Sequence, residues 1–223
     1  MSNFNQWRSI IDGEPLASAI PDSVIDDFEH NALQDYYGGD TNFASIIDSN
    51  PDAHQGEFWL EIDADDSART VHNEQGAENL DVNNYPQRGE EFEFAIRVDS
   101  SDDVTNHLIF AHQDTTDLPA GGEGYAAGLY NEELLISTMD DIASGSPSVT
   151  VNGDFSLQTV YEMTVDFGKT ESDDITASVI DDSDNEITAT LTDNQYDSGA
   201  IAWGVNRQST GVDPLAYFDA PIY

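Results

Sequence analysis

Glu91-Phe92-Glu93-Phe94-Ala95-Ile96-Arg97-Val98 alternates along its length. Phe92, Phe94, Ile96 and Val98 take one parity, and Glu91, Glu93, Ala95 and Arg97 take the other. Successive side chains of an extended chain point to opposite faces, so period two marks a strand with one face in a core and one in water. Outward from this segment the same reading fits 57–62, 107–112, 124–130, 133–139, 160–167, 174–180, 186–192, 200–205 and 215–219. The breaks carry turn chemistry: Gly38-Gly39, Asn50-Pro51, Gly121-Gly122 and Asn152-Gly153. Asp182-Ser183-Asp184-Asn185 lies between two alternating runs and reads as a hairpin turn. About a dozen short strands with no long helix predict an all-β sandwich or barrel.

Composition narrows the setting. Asp and Glu number 45 against 6 Lys and Arg, a formal net charge of −39 over 223 residues. At ordinary ionic strength such a surface repels itself, whereas molar salt shortens the screening length to about 3 Å. The cations are Arg8, Arg69, Arg88, Arg97, Arg207 and Lys169 alone. This balance is the one expected of a halophile that keeps salt inside the cell. An acidic disordered chain is excluded by 38% hydrophobic residues, including ten Phe, nine Tyr and three Trp, in strand-like runs. No basic patch exists, so neither nucleic acid nor an anionic membrane surface is an expected partner, and membrane insertion is likewise not expected. No cysteine is present for disulfides or thiolate metal sites, and no run reaches the length of a membrane span.

Residues 1–24 differ from the rest: Pro15 and Pro21 interrupt them and no strand-length alternation occurs. They read as an N-terminal arm, with residues 25–223 forming the sandwich. Met1 to Ile20 lacks the charged-then-apolar pattern of a signal peptide. From Asp26 onward the order of landmarks resembles the concanavalin A-like lectin/glucanase superfamily, in its laminin-G-like branch. The resemblance rests on Asp26-Asp27-Phe28-Glu29 and Tyr36-Tyr37-Gly38-Gly39. It continues through Gly56-Glu57-Phe58-Trp59-Leu60 and Pro86-Gln87-Arg88-Gly89-Glu90-Glu91-Phe92. Gly124-Tyr125-Ala126-Ala127-Gly128-Leu129, Tyr161-Glu162-Met163-Thr164-Val165, Gly199-Ala200-Ile201-Ala202-Trp203-Gly204 and Tyr217-Phe218-Asp219 complete it. It implies a jelly-roll β-sandwich. It implies no single function, because this fold carries lectins, glucanases, adhesins and spacers.

Four constellations bear on chemistry. Glu61-Ile62-Asp63-Ala64-Asp65-Asp66 is similar to the acidic strand of laminarinase-type glycosidases, whose alternating carboxylates act as nucleophile, helper and acid/base. Glu61 and Asp63 share a parity, as same-face carboxylates of a retaining site must. Asp66 or Asp65 stands where that family has Glu, and a solvated acidic strand is the simpler reading. The candidate calcium ligands are Asp182, Asp184 and Glu186, with a second acidic loop at 99–103; neither has EF-hand spacing. The five histidines (His30, His54, His72, His107 and His112) are dispersed, and His107 and His112, five apart, are expected on opposite sides of one strand. For stacking on sugar rings, Tyr85 and Tyr130 are the expected exposed pair. Trp59 and Trp203 belong to core patterns.

The expectation drawn from these readings is a non-enzymatic, homo-oligomeric adhesive module. It is a virion appendage (capsid turret, decoration or tail fibre) of a virus of a halophilic archaeon. It would be assembled in the host cytoplasm, docked on other virion proteins by its arm, and in contact with host glycans. The alternatives are a cellular or extracellular carbohydrate-binding lectin-like domain and a laminarinase-type hydrolase.

Overall fold

A computed structural model describes residues 37–48, 58–64, 68–73, 86–99, 104–113, 123–168, 173–207 and 215–219. The proposed arm, Asp65, Asp66 and Tyr85 lie outside these residues. Fourteen strands are present among those described: β1 (Tyr37–Gly39), β2 (Ala44–Asp48), β3 (Phe58–Asp63), β4 (Arg69–Asn73), β5 (Glu90–Val98), β6 (Val104–His112) and β7 (Tyr125–Tyr130). They continue as β8 (Glu133–Thr138), β9 (Val149–Asn152), β10 (Val160–Phe167), β11 (Asp174–Ile180), β12 (Glu186–Thr192), β13 (Ala200–Arg207) and β14 (Leu215–Phe218). They form two seven-stranded antiparallel sheets. Sheet I runs β12-β11-β10-β5-β14-β3-β2, and sheet II runs β1-β4-β13-β6-β7-β8-β9.

The alternation of β5 is realised as predicted. Phe92, Phe94 and Ile96 are buried in the core between the sheets, while Glu91 and Glu93 are exposed. Aromatic rings interlock across the gap. Phe110 of β6 meets Phe92 of β5 and Phe167 of β10 edge-on, with centroids 5.3 and 5.2 Å apart. Edge-to-face contact aligns the positive rim of one ring with the negative face of the other. The Asp182–Asn185 segment is the turn of the β11–β12 hairpin, whose register runs unbroken from Asp174–Thr192 to Ile180–Glu186. Asn131 and Glu132 join β7 to β8 with φ of 47° and 61°, as a two-residue turn matched to strand twist requires.

β6 is buried on both faces throughout. Its outer face carries a separate apolar cluster, in which Ile109, Ala126, Leu135 and Ala202 pack against Met139 and Ile142 of α1 (Met139–Ser144). Met139 therefore starts a helix and does not extend the predicted strand 133–139. Thr138 caps α1 by accepting from the Asp141 amide, and Gly145 ends it at φ 78°.

One end of the sandwich is tied by Arg88. Its Nε donates to Asp197 Oδ1 (2.8 Å), and its Nη2 donates to the carbonyls of Asp193 and Tyr196 (3.0 Å each). The guanidinium also lies 4.9 Å from the Phe167 ring centroid. Tyr125 donates to Asp193 Oδ1 (2.5 Å) and accepts from the Tyr196 amide (3.1 Å), so the 193–197 loop is gripped from both sheets. A lysine here keeps the charge but loses the planar fork. Arg88→Lys is expected to cost about 1–2 kcal/mol, as part-buried carbonyls lose their donors; denaturant unfolding in molar KCl measures it.

Candidate functional site

The outer face of sheet I holds an ordered row of chemically active side chains. Strand pairing places Ser45 opposite Glu61, Glu61 opposite Tyr217, Tyr217 opposite Arg97, and Arg97 opposite Val160. Ser45 Oγ donates to Glu61 Oε1 (3.0 Å), and Tyr217 faces the same residue from β14. Arg97 grips Asp99 in a two-point ion pair, Nε to Oδ1 at 2.6 Å and Nη2 to Oδ2 at 2.7 Å. Its guanidinium lies 5.0 Å from the Tyr217 ring centroid. Burial, followed by the negative charge of Glu61 and Asp99, pushes the Tyr217 hydroxyl up to about 12. It stays protonated at any physiological pH.

Beneath and beside this row lies a small apolar cluster outside the main core: Trp59, Ala95 and Tyr217, with Ile47, Val160 and Leu215 against them. Two shallow depressions flank it. One of about 490 Å³ is lined by Asn42, Phe43, Ser45, Glu61, Asp63 and Leu215. The other, of about 570 Å³, is lined by Glu93, Val160, Glu162, Thr164, Ser178, Ile180 and Glu186. Ile180 is 54% exposed, and with Val160 it gives the second depression an apolar patch among carboxylates and hydroxyls.

Of the residues singled out in the sequence, Glu61 and Asp63 share this outer face. Asp66, the third member of that acidic strand, lies outside the described residues. The acidic hairpin turn is braced by its own hydrogen bonds. The Asp181 carboxylate accepts from the amides of Ser183 (3.0 Å), Asn185 (2.8 Å) and Asp154 (3.2 Å). These donors, led by Asn185, lower its pKa. Asp182 Oδ1 accepts from the Tyr161 hydroxyl (2.8 Å). Asp182, Asp184 and Glu186 do not converge, and among the described residues no three His, Cys, Asp or Glu side chains are grouped to hold a metal. Glu186 instead lines the second depression.

The aromatic expectations divide. Trp203 is in the inter-sheet core, whereas Trp59, fully buried, belongs to the outer cluster of sheet I. Tyr130 is half-buried against the α1 cluster on the far side of the molecule, and Tyr85 lies outside the described residues. His107 and His112 are not on opposite sides. A bulge at Ala111 (φ 52°) inserts one residue into β6, so His107 pairs with Gly204 and His112 with Ala200, which share a parity on β13. Four strand steps still separate them by about 13 Å, too far to chelate one ion. Sequence reading missed Arg97 and Tyr217 as site residues. The available signal was a lone cation on the outward parity of an otherwise acidic strand.

No protein-family model and no curated protein matches this sequence. Solved structures do. The exoplasmic/lumenal domain of VIP36, in its Ca2+/Man3GlcNAc-bound form, is 11% identical over 84% of this chain and 83% of its own, with a TM-score of 0.53. A GH16 protein of the Bacteroides ovatus mixed-linkage glucan locus, in complex with its G4G4G3G product, is 12% identical over 88% and 97%, with a TM-score of 0.52. The carbohydrate recognition domain of Emp47p is 11% identical over 89% and 92%, with a TM-score of 0.51. Two antiparallel seven-stranded sheets enclosing one aromatic core, together with these likenesses, make the chain a jelly-roll sandwich of the concanavalin A-like lectin/glucanase fold.

Proposed function

We propose that the chain is a non-enzymatic carbohydrate-binding domain that takes its ligand on the outer face of sheet I. The observation that carries this reading is the row Ser45–Glu61–Tyr217–Arg97 between two polar depressions with apolar patches. Sugars present hydroxyl donors on one rim and C–H surfaces on their faces. Fixed carboxylates accept from the first, and Ile180, Val160 and Leu215 cover the second. The face is acidic, so the fitting glycan is neutral or carries amino groups rather than acidic ones. VIP36 and Emp47p, whose names include a bound glycan and a carbohydrate recognition domain, support the same reading.

Titration calorimetry in molar KCl against a panel of neutral oligosaccharides tests it. The expected result is a dissociation constant in the micromolar to millimolar range for at least one member. Glu61→Gln, which keeps the shape but removes the charge, weakens it about tenfold, the loss of one charge-assisted hydrogen bond of roughly 1.4 kcal/mol. Absence of binding across the panel at millimolar sugar would overturn the reading. Release of reducing sugar by the wild type, lost in Glu61→Gln, would replace it with the hydrolase.

The virion-appendage role is a second reading, motivated by the charge of −39 and the distinct composition of residues 1–24. It places the same glycan-binding face outward on a particle. Its test is whether the chain purifies within a symmetric particle from a salt-grown host culture.

A further inference from the structure

Sheet I ends at β12, whose free edge pairs with no strand among the described residues. An unpaired edge is a row of open amides and carbonyls. Proteins that stay monomeric guard such edges with lysine, proline, a bulge or a cover. β12 reads Glu186-Ile187-Thr188-Ala189-Thr190-Leu191-Thr192 and has none of the first three. Its register on β11 is continuous over seven pairs, and its single charge is its first residue. The neighbouring free edge on the same flank, β9 of sheet II, reads Val149-Thr150-Val151-Asn152 and has no charge at all. Ile187 and Leu191 pack on the core yet stay half-exposed, as do Val149 and Val151.

β12 is also two-fold in character about Ala189. The exposed Thr188 and Thr190 flank it on the outer face, and Ile187 and Leu191 flank these on the inner. Laid antiparallel on a second copy and centred at Ala189, Thr188 meets the partner's Thr190 and Ile187 meets the partner's Leu191. Glu186 meets the partner's Thr192, so no two carboxylates oppose each other. Matched hydroxyl and aliphatic cross-strand pairs are the stabilising units of a sheet. An isologous contact requires this self-complementarity.

We propose that β12 is a homodimer edge, on which a second copy pairs its own β12 to join two seven-stranded sheets into one of fourteen. Two chains of −39 repel at long range, so the pairing forms at molar salt and dissociates as salt is withdrawn. The proposal is independent of the glycan reading.

The chain has no cysteine, which makes register-specific cross-linking clean. Opposed residues of an antiparallel pair lie about 4.5–5.5 Å apart at Cα, within disulfide reach. In molar KCl, light scattering is expected to give twice the chain mass for the wild type. Oxidised Thr188→Cys/Thr190→Cys is expected to run as a covalent dimer, while Thr188→Cys alone does not cross-link. Thr188→Glu/Thr190→Glu, at two exposed positions, is expected to keep the circular dichroism of the fold and to weaken dimerisation at least tenfold. It opposes carboxylates in contact, where desolvation acts regardless of screening. Hydrogen exchange gives the backbone readout: the β12 amides not bonded to β11 are protected in the wild type and open in the glutamate variant. A wild type that remains monomeric at molar salt overturns the proposal, even if those amides are protected. So does a dimer that ignores the glutamates, or one in which the single cysteine cross-links as well as the pair.

Discussion

Gly128→Ala is expected to lower the melting temperature by about 6–12 °C or to prevent folding altogether. Gly128 lies on β7 opposite His107 of β6, in the middle of sheet II. A Cβ added there would stand 2.0 Å from the Asn106 carbonyl oxygen and 2.7 Å from the His107 Cα. Both are backbone atoms of a strand that is paired on its other side with β13 and buried throughout. No side-chain rotation relieves the contact, so β6 and β7 must separate and their ladder weakens. Overpacking typically costs about 1–3 kcal/mol and occasionally more; a contact made with backbone lies at the upper end, about 3 kcal/mol, which for a domain of this size corresponds to the stated shift. Thermal unfolding followed by circular dichroism in molar KCl measures it. A melting point within a degree or two of wild type would show that β6 and β7 are not so closely opposed.

The second large effect is a pH dependence carried by one residue. His107 is 2% exposed, lies on the outer face of sheet II across Gly204, and has no hydrogen-bond partner for Nδ1 among the described residues. Burial drives its pKa from the usual 6.5 down to about 4, against a smaller opposing pull from the Thr105 backbone. The fold therefore holds His107 neutral, while the unfolded chain takes up a proton near 6.5. Its contribution to stability is complete above pH 6.5 and is lost progressively as pH falls to about 4. The gap corresponds to about 3 kcal/mol. His107→Gln, neutral at every pH, is expected to remove this component. Between pH 7 and pH 4, unfolding free energies of wild type and variant should converge by about 3 kcal/mol. Parallel curves would mean that the imidazole is solvated in the fold. Protonation of carboxylates, which relieves the net charge, acts equally on both proteins and cancels in the comparison.

Much of the sandwich was legible because period two is a local property. Each of β5, β10, β11 and β12 announces itself within its own residues, and the Asp182–Asn185 turn announces the hairpin. β4 was not legible, since Thr70 is buried on a strand whose other members are mostly polar. β9 was too short to show a repeat, and α1, at six residues, too short to show a helical one.

The candidate site divides in the same way. Parity alone placed Glu61 and Asp63 on one face of one strand. Alternation says that two faces differ, yet it cannot say which faces the core when both carry bulky apolar residues. Trp59 is buried as its pattern predicts, but in the outer cluster of sheet I and not between the sheets. Nor can a local pattern set Glu61, Arg97 and Tyr217 side by side, because they come from β3, β5 and β14, and only the strand order makes them neighbours. The same holds for His112, which one bulged residue carries to the other face. The sequence by itself determined the strands, the acidic surface and the sandwich, all of which follow from composition and nearest-neighbour parity. The tertiary structure decided which side chains meet, because hydrogen-bonded strand order and a single inserted residue act between segments that share no local pattern.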